Sequence, residues 1–225
     1  MTNLIELSVD IAMNNLGWVC FEAGLPRECG VIKPEVPKEL LCLKGNKKLS
    51  KRQENVHLIK DLVTQFDDVV KRLGPALIVG EATPGGAKNA SAAVKLNIAF
   101  TAVLSICLLR QIKYEWCTPD EVKKATIGNS QATKEQIMDW AIARYGGSKD
   151  VKEVNITRGK RAGAVDRHLT YRFLDELIPG GTFEHIADAC GAYEAVKHKP
   201  PAKKGARGYT NKPRQRGKRK EQIYG

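Results

Sequence analysis

The spacing of apolar positions changes several times along this 225-residue chain, and each change marks an element. Leu4-Ile-Glu-Leu-Ser-Val-Asp-Ile11 is an apolar-rich run that predicts a strand carrying Asp10 near its end. Met13 to Gly17 reads as a turn. Trp18 to Ala23 and Glu28 to Ile32, separated by Gly24-Leu-Pro26, predict two further strands in an antiparallel meander. Pro34 to Asn46 reads as a loop. From Lys51 to Leu73 the period lengthens: Val56, Ile59, Leu62, Phe66, Val69 and Leu73 recur at three- and four-residue spacing, and Gly74-Pro75 stops the helix they predict. Ala76 to Ala82 is a continuous apolar run ending in Glu81, as suits a strand buried beside the first.

The second half is read in the same way. Thr83 to Asn89 is a loop, Ala90 to Arg110 a long helix and Tyr114 to Cys117 a short strand. Pro119 after Thr118 starts another helical turn, and Thr133 to Tyr145 predicts a helix ended by Gly146-Gly147. A polar segment with Arg158, Lys160 and Arg161 follows. Val165 to Ile178 is expected to be a helix closed by Pro179-Gly-Gly181, and residues 182–198 a last helix. Three strands, then helix–strand–helix–strand, then helices, imply an α/β fold: a mixed five-stranded sheet with helices on both faces.

Charge alters this picture only at the end of the chain. Of the formal net charge of +12, the segment Lys197 to Gly225 holds eleven Lys/Arg against the single acid Glu221. That segment is rich in Gly and Pro and nearly free of aliphatic residues. It is therefore expected to be a disordered, polyanion-binding tail on a domain spanning 1–196, with Lys203, Lys204, Arg207, Arg214 and Arg216 as DNA contacts. The six cysteines show no CxxC and no metal-ligand spacing, which suggests reduced packing thiols in a reducing compartment. No signal peptide is recognisable, and the apolar stretch Ile98 to Leu109 is shorter than a bilayer span, so the expectation is a cytoplasmic protein with no membrane association.

The candidate chemistry lies in the last helix, a small, alanine-rich element interrupted by His185 and Asp188. Three residues apart on a helix, the two share a face. An imidazole and a carboxylate on such a surface are costly to bury without compensation. Asp10 and Glu81, each at the end of one of two strands expected to be neighbours, would supply further carboxylates. A hard divalent cation would hold them together, and a pair of such ions can activate water and stabilise a leaving oxygen in phosphodiester cleavage.

Four segments carry a resemblance. Leu7-Ser-Val-Asp-Ile-Ala-Met-Asn-Asn-Leu-Gly-Trp18 resembles the first strand and turn of RuvC-type Holliday junction resolvases. Leu77-Ile-Val-Gly-Glu81 with Ala87-Lys-Asn-Ala-Ser-Ala-Ala-Val-Lys-Leu96 is similar to that family's second acidic strand and following helix. Val122-Lys-Lys-Ala-Thr-Ile-Gly-Asn-Ser-Gln-Ala-Thr-Lys134 matches its Val-Lys, Gly and Ala-x-Lys pattern. His185-Ile-Ala-Asp-Ala-Cys-Gly-Ala192 resembles its closing acidic helix. The four occur in family order across residues 4–196.

The resemblance implies a ribonuclease-H-like fold and a homodimer that nicks two strands of a four-way DNA junction with Mg²⁺ or Mn²⁺, making paired symmetric cuts by metal-activated water. Asp10, Glu81 and Asp188 would be metal-ligating carboxylates. His185 stands where many members have Asp and some have His, which would shift preference toward Mn²⁺. Lys134 and one of Lys123 or Lys124 would lie at the scissile phosphate, neutralising charge in the transition state. Lys88, Arg158, Lys160 and Arg161 would add DNA contacts. The chain departs from the bacterial pattern in the loop between Glu81 and Lys88, which is one residue longer and lacks the aromatic wedge, and in longer 146–181 and tail segments like those common in viral and phage relatives. A broader fork, flap or Y-branch nuclease, and an inactive junction-binding factor, are the alternative readings.

Overall fold

The structure is a computed structural model, and it describes residues 4–41, 49–81, 90–155 and 165–199. Three antiparallel strands come first: β1 (Ile5–Asp10), β2 (Leu16–Glu22) and β3 (Leu25–Ile32). The loop expected over 34–46 contains a single helical turn, α1 (Lys38–Leu41). Helix α2 (Lys51–Leu73) begins at a capping box of Ser50 and Gln53 and ends at Gly74, whose φ of 60° is the left-handed conformation that closes a helix at little cost to glycine. Strand β4 (Leu77–Glu81) then joins β1 in parallel, and β5 (Lys113–Cys117) joins β4, giving the order β3-β2-β1-β4-β5. Helix α3 (Ala90–Leu109) connects β4 to β5.

Alternation along the strands sorts residues between two cores. Leu7, Val9, Leu16, Trp18 and Ile78 face α2 and α3, where they pack with Leu62, Phe66, Val103 and Cys107. Val19, Phe21 and Val79 face the other side, which is covered by α4 (Pro119–Ile127), α5 (Lys134–Tyr145) and α6 (Gly180–Lys197). Helix α4 starts at Pro119 behind a Thr118–Glu121 capping box, as its sequence predicts. Helix α6 is the centre of that layer: Ala187, Ala189, Cys190 and Ala192 are fully buried, and their small side chains allow close approach to the sheet.

The structure overturns one expectation outright. The stretch Val165 to Ile178 is not a helix but strands β7 (Val165–Phe173) and β8 (Glu176–Pro179), which with β6 (Ser148–Asn155) form a second, three-stranded antiparallel sheet. A helix would point Tyr171 and Phe173 about 200° apart. In the strand both reach the same core, where Tyr171 stacks on Phe183 at 4.5 Å between ring centroids and Phe173 meets the same ring edge-on. Leu174 and Asp175, at φ 48° and 64°, make the two-residue turn of the hairpin without the usual glycine. Pro179-Gly180-Gly181 consequently opens α6 instead of closing a preceding helix.

Helix α3 also differs from expectation. It contains an 18-residue window, Ala92–Leu109, that is long and apolar enough to cross a membrane by length and composition. Its Ala99, Val103, Ile106 and Cys107 are nevertheless built into the core beneath β1 and β4. Leu108 and Leu109 on the opposite face are 70% and 84% exposed.

Candidate active site at the ends of the central strands

Parallel pairing of β1 with β4 places Val9 opposite Gly80, so Asp10 and Glu81 follow side by side at the ends of adjacent strands. Neighbouring strands lie about 4.8 Å apart. By alternation Asp10 is on the same face as Ser8, whose buried hydroxyl donates to the Ala189 carbonyl of α6 at 2.6 Å. That bond fixes the helix over the strand one turn away from the acidic pair. Gly17, paired with Asp10 across β1 and β2, leaves room for the same helix, because a Cβ there would sit 2.3 Å from the His185 carbonyl oxygen. On the far side of α6, Gly191 admits Val122 of α4 in the same manner, at 2.7 Å from a built Cβ.

Helix α6 thus brings His185 and Asp188 down onto Asp10 and Glu81. His185 Nδ1–H donates to Asp10 Oδ2 at 2.8 Å, with each side chain 17% exposed. This hydrogen bond, more than the surrounding negative charge, lifts the imidazole's pKa above its ordinary value against the opposing effect of burial. Asp188 is pushed well above the carboxylate range, first by burial and then by the charges of Asp10 and Glu184, while Lys134 and His185 oppose the shift. Glu81 rises to about 8 for the same reasons: burial first, then Asp10 and Asp188, with Lys123 pulling it back. Three carboxyl groups are therefore gathered where they cannot all hold their charge unaided.

This is the electrostatic condition that a hard divalent cation relieves, and the donor set of carboxylate oxygens plus one imidazole suits one. Among the described residues, no three His, Cys, Asp or Glu side chains converge on one point as they stand. A bound cation would require Asp10, Glu81 and Asp188 to turn toward it, and His185 to exchange its hydrogen bond to Asp10 for a role as ligand or neighbour.

The lysines separate. Lys123 is partly buried on α4 and close enough to Glu81 to stabilise its charged form, whereas Lys124 next to it is exposed. Lys134, the first residue of α5, reaches across to form an ion pair with Glu184. Lys88, Arg158, Lys160, Arg161, Lys203, Lys204, Arg207, Arg214 and Arg216 lie outside the described residues. Two participants escaped the sequence reading. Ser8 looks like any strand residue, and its partner is a backbone carbonyl 181 positions away. Glu184 does carry a signal, since it lies one helical turn before Asp188 on the same face.

The raised groups make a pH prediction. Glu81 and Asp188 have folded pKa values above those of an unfolded chain, so between about pH 4.5 and 8 the metal-free folded state binds more protons than the unfolded state. Stability then falls as pH rises through that window. His185 adds to the same slope, because stabilisation from its raised pKa is complete below the ordinary histidine value and is lost as pH rises through the folded one. Melting in EDTA from pH 5 to 8.5 should show the fall, Glu81→Gln should remove Glu81's share of it and leave that of Asp188 and His185, and Mn²⁺ should reduce it. A flat metal-free profile would contradict the placement of these carboxylates.

The sequence model of the crossover junction endodeoxyribonuclease RuvC family matches residues 27–143, more than half of the chain. The chain belongs to the RuvC family. It is 31% identical over 93 residues to the crossover junction endodeoxyribonuclease RuvC of Chlamydia muridarum, a match covering 41% of this chain and 54% of that protein. It is 39% identical over 72 residues to the RuvC of a Sulfurovum species, covering 32% and 45%. The chain thus spans about half the length of the curated relatives it matches. Among solved structures it is similar to Thermus thermophilus RuvC in complex with a Holliday junction substrate, with a TM-score of 0.54 and 17% identity over 85% of this chain and 92% of that one. A second Thermus thermophilus RuvC structure gives 0.52 and 15% over the same shares. At those identities the likeness establishes the fold, the expected ribonuclease-H-like sheet. The Asp10–Glu81 pair and α6 are its features in this chain that could do chemistry.

Proposed function

We propose that this chain is a divalent-metal-dependent endonuclease that nicks branched DNA, with four-way junctions as its foremost substrate. The observation that carries this reading is that β1, β4 and α6, far apart in sequence, bring Asp10, Glu81, Asp188 and His185 to one end of the sheet, near enough for their charges to shift one another, in a RuvC-family member. Mg²⁺ or Mn²⁺ held by these four would supply a neutralised phosphate and an activated water, the two needs of phosphodiester cleavage. The chain's own residues do the remaining work. Asp10, Glu81 and Asp188 would provide the negative surface that holds the ions, and α6 sets its shape through Ser8 and Gly17. In the metal-free protein His185 is oriented by Asp10, the bond it would give up to a bound ion. Lys134 and Lys123 bring positive charge to the rim, where the phosphate's extra charge develops.

Paired nicks need two such sites, and the reading includes a homodimer. The exposed apolar side chains of Val94, Leu108, Leu109 and, on α2, Val56 support this, together with an apolar groove of about 540 Å³ between α2 and α3. A solvent-facing strip of that kind is an expected contact between protein surfaces. We place the protein in the cytoplasm, with its basic tail adding affinity that is independent of sequence. Cutting the chain after Lys199 should weaken binding to all DNA shapes alike and flatten its salt dependence.

The test is nicking of a symmetric four-way junction, a three-way junction and a flap, each with Mg²⁺ and with Mn²⁺. The reading expects the four-way junction to be cut fastest, in paired positions, and Mn²⁺ to outperform Mg²⁺ because His185 offers nitrogen in place of a hard oxygen. Faster cutting of flaps would make it a broader branch nuclease. Binding without nicking in either metal would make it a junction-binding factor.

A further inference from the structure

Lys134 occupies an awkward position. As the first residue of α5 it lies where unpaired backbone N–H groups make the helix end positive, and a cation is disfavoured there. Its side chain is long and 69% exposed, free to sample many rotamers. What limits that freedom is the Glu184 carboxylate of α6, 24% exposed, which accepts a hydrogen bond from the Lys134 ammonium and is the chief cause of its raised pKa. The ammonium also feels the charges of Asp188 and Asp10, so the pair stands beside the carboxylate cluster and not at a remote surface. Glu184 is itself one residue from His185 and one turn from Asp188.

An exposed ion pair of this kind adds little to stability, too little to account for a cation at a helix N-terminus. Its consequence is geometric. It spans α5 and α6 and limits the ammonium to a small region over the mouth of the site. The bond is also weak enough to be exchanged: a phosphodiester oxygen entering the site presents the same acceptor chemistry to the same ammonium.

We propose that Glu184 is the positioning residue for Lys134, holding its ammonium beside the Asp10–Glu81–Asp188 cluster until the scissile phosphate takes it over. This rests on the endonuclease reading. Glu184 touches neither substrate nor reacting atoms; its only side-chain bond among the described residues is to Lys134, its charge reaching Asp188 and His185 as a smaller effect, and most of its contribution therefore depends on Lys134 being present.

A double-mutant cycle tests that dependence: wild type, Glu184→Gln, Lys134→Ala and the double variant, each in single-turnover nicking of a four-way junction in Mn²⁺, with junction affinity measured separately in EDTA. Glu184→Gln should slow nicking about 10-fold in the wild-type background, as expected when a reacting group loses its alignment. It should leave affinity within about twofold and slow Lys134→Ala by less than about twofold further. Glu184→Asp, which keeps the charge, should recover most of the lost rate. Equal loss in both backgrounds would overturn the proposal, as would a Glu184→Gln defect that higher Mn²⁺ concentrations repair, since that would make Glu184 a metal ligand. Wild-type protein that binds but never nicks would overturn the endonuclease reading and this inference with it.

Discussion

Asp10→Asn is expected to reduce nicking of a four-way junction by about 10³-fold or more while leaving junction affinity within about threefold. The substitution preserves shape, and an amide oxygen still accepts the His185 Nδ1–H bond that now measures 2.8 Å, so α6 keeps its seat. What disappears is one of the three carboxyl groups that β1, β4 and α6 gather as prospective anionic ligands. Losing a principal anionic ligand removes several kcal/mol of stabilisation for charge in the transition state, hence the size of the effect. Glu81→Gln should do the same from the neighbouring strand. It should also raise the stability of the metal-free protein near pH 8, where a Glu81 carboxyl of pKa about 8 is costly to ionise. Single-turnover nicking beside a binding measurement in EDTA checks both. Near wild-type rates in either variant would remove the cluster from the chemistry.

Gly17→Ala should produce the second large effect, and by a different route. The added methyl would lie 2.3 Å from the His185 carbonyl oxygen and 2.6 Å from its carbon, both backbone atoms that cannot swing aside. Relief demands that α6 move away from β2, at a cost of about 1–3 kcal/mol, in the range of overpacked cores. For a domain of this size that is a fall in Tm of roughly 2–12 °C. Because the displaced segment carries His185, nicking should drop more than thermal stability alone accounts for. Thermal melting paired with nicking rates at a temperature where the variant is fully folded separates the two. Unchanged Tm would show that α6 does not pack on Gly17 as described.

Much of this could be read from the chain. The period change at Lys51, the Gly74 stop and the apolar run to Glu81 determine α2 and β4, because an amphipathic helix and a buried strand leave patterns that local packing alone dictates. The small residues of the last helix suit close approach to whatever it packs against, and Ala189, Ala192 and Ala195 are all buried. The helix expected over Val165 to Ile178 is instead two strands, because polar residues obscure the alternation of Leu169, Tyr171 and Phe173. Pairing with β6 and packing on Phe183 decide its conformation, and both partners lie outside the segment whose own pattern was read. Lys123 and Lys124 were indistinguishable as neighbours in a string. The rotation of α4 against α6 turns the first toward Glu81 and the second toward solvent.

The polar pair His185 and Asp188, and the carboxylates at the ends of two strands, were determined by sequence alone, since spacing on a helix and position on a strand are local properties. The sequence also set the chemical class of ligand those groups can hold. Only the tertiary structure decided that His185 rests on Asp10, that Glu184 takes Lys134, and that Glu81 and Asp188 are driven toward neutrality. Each of these depends on distances between elements that the sheet order β3-β2-β1-β4-β5 and the seat of α6 impose. Electrostatic interaction energies vary with separation and burial, and neither is set until the chain has folded.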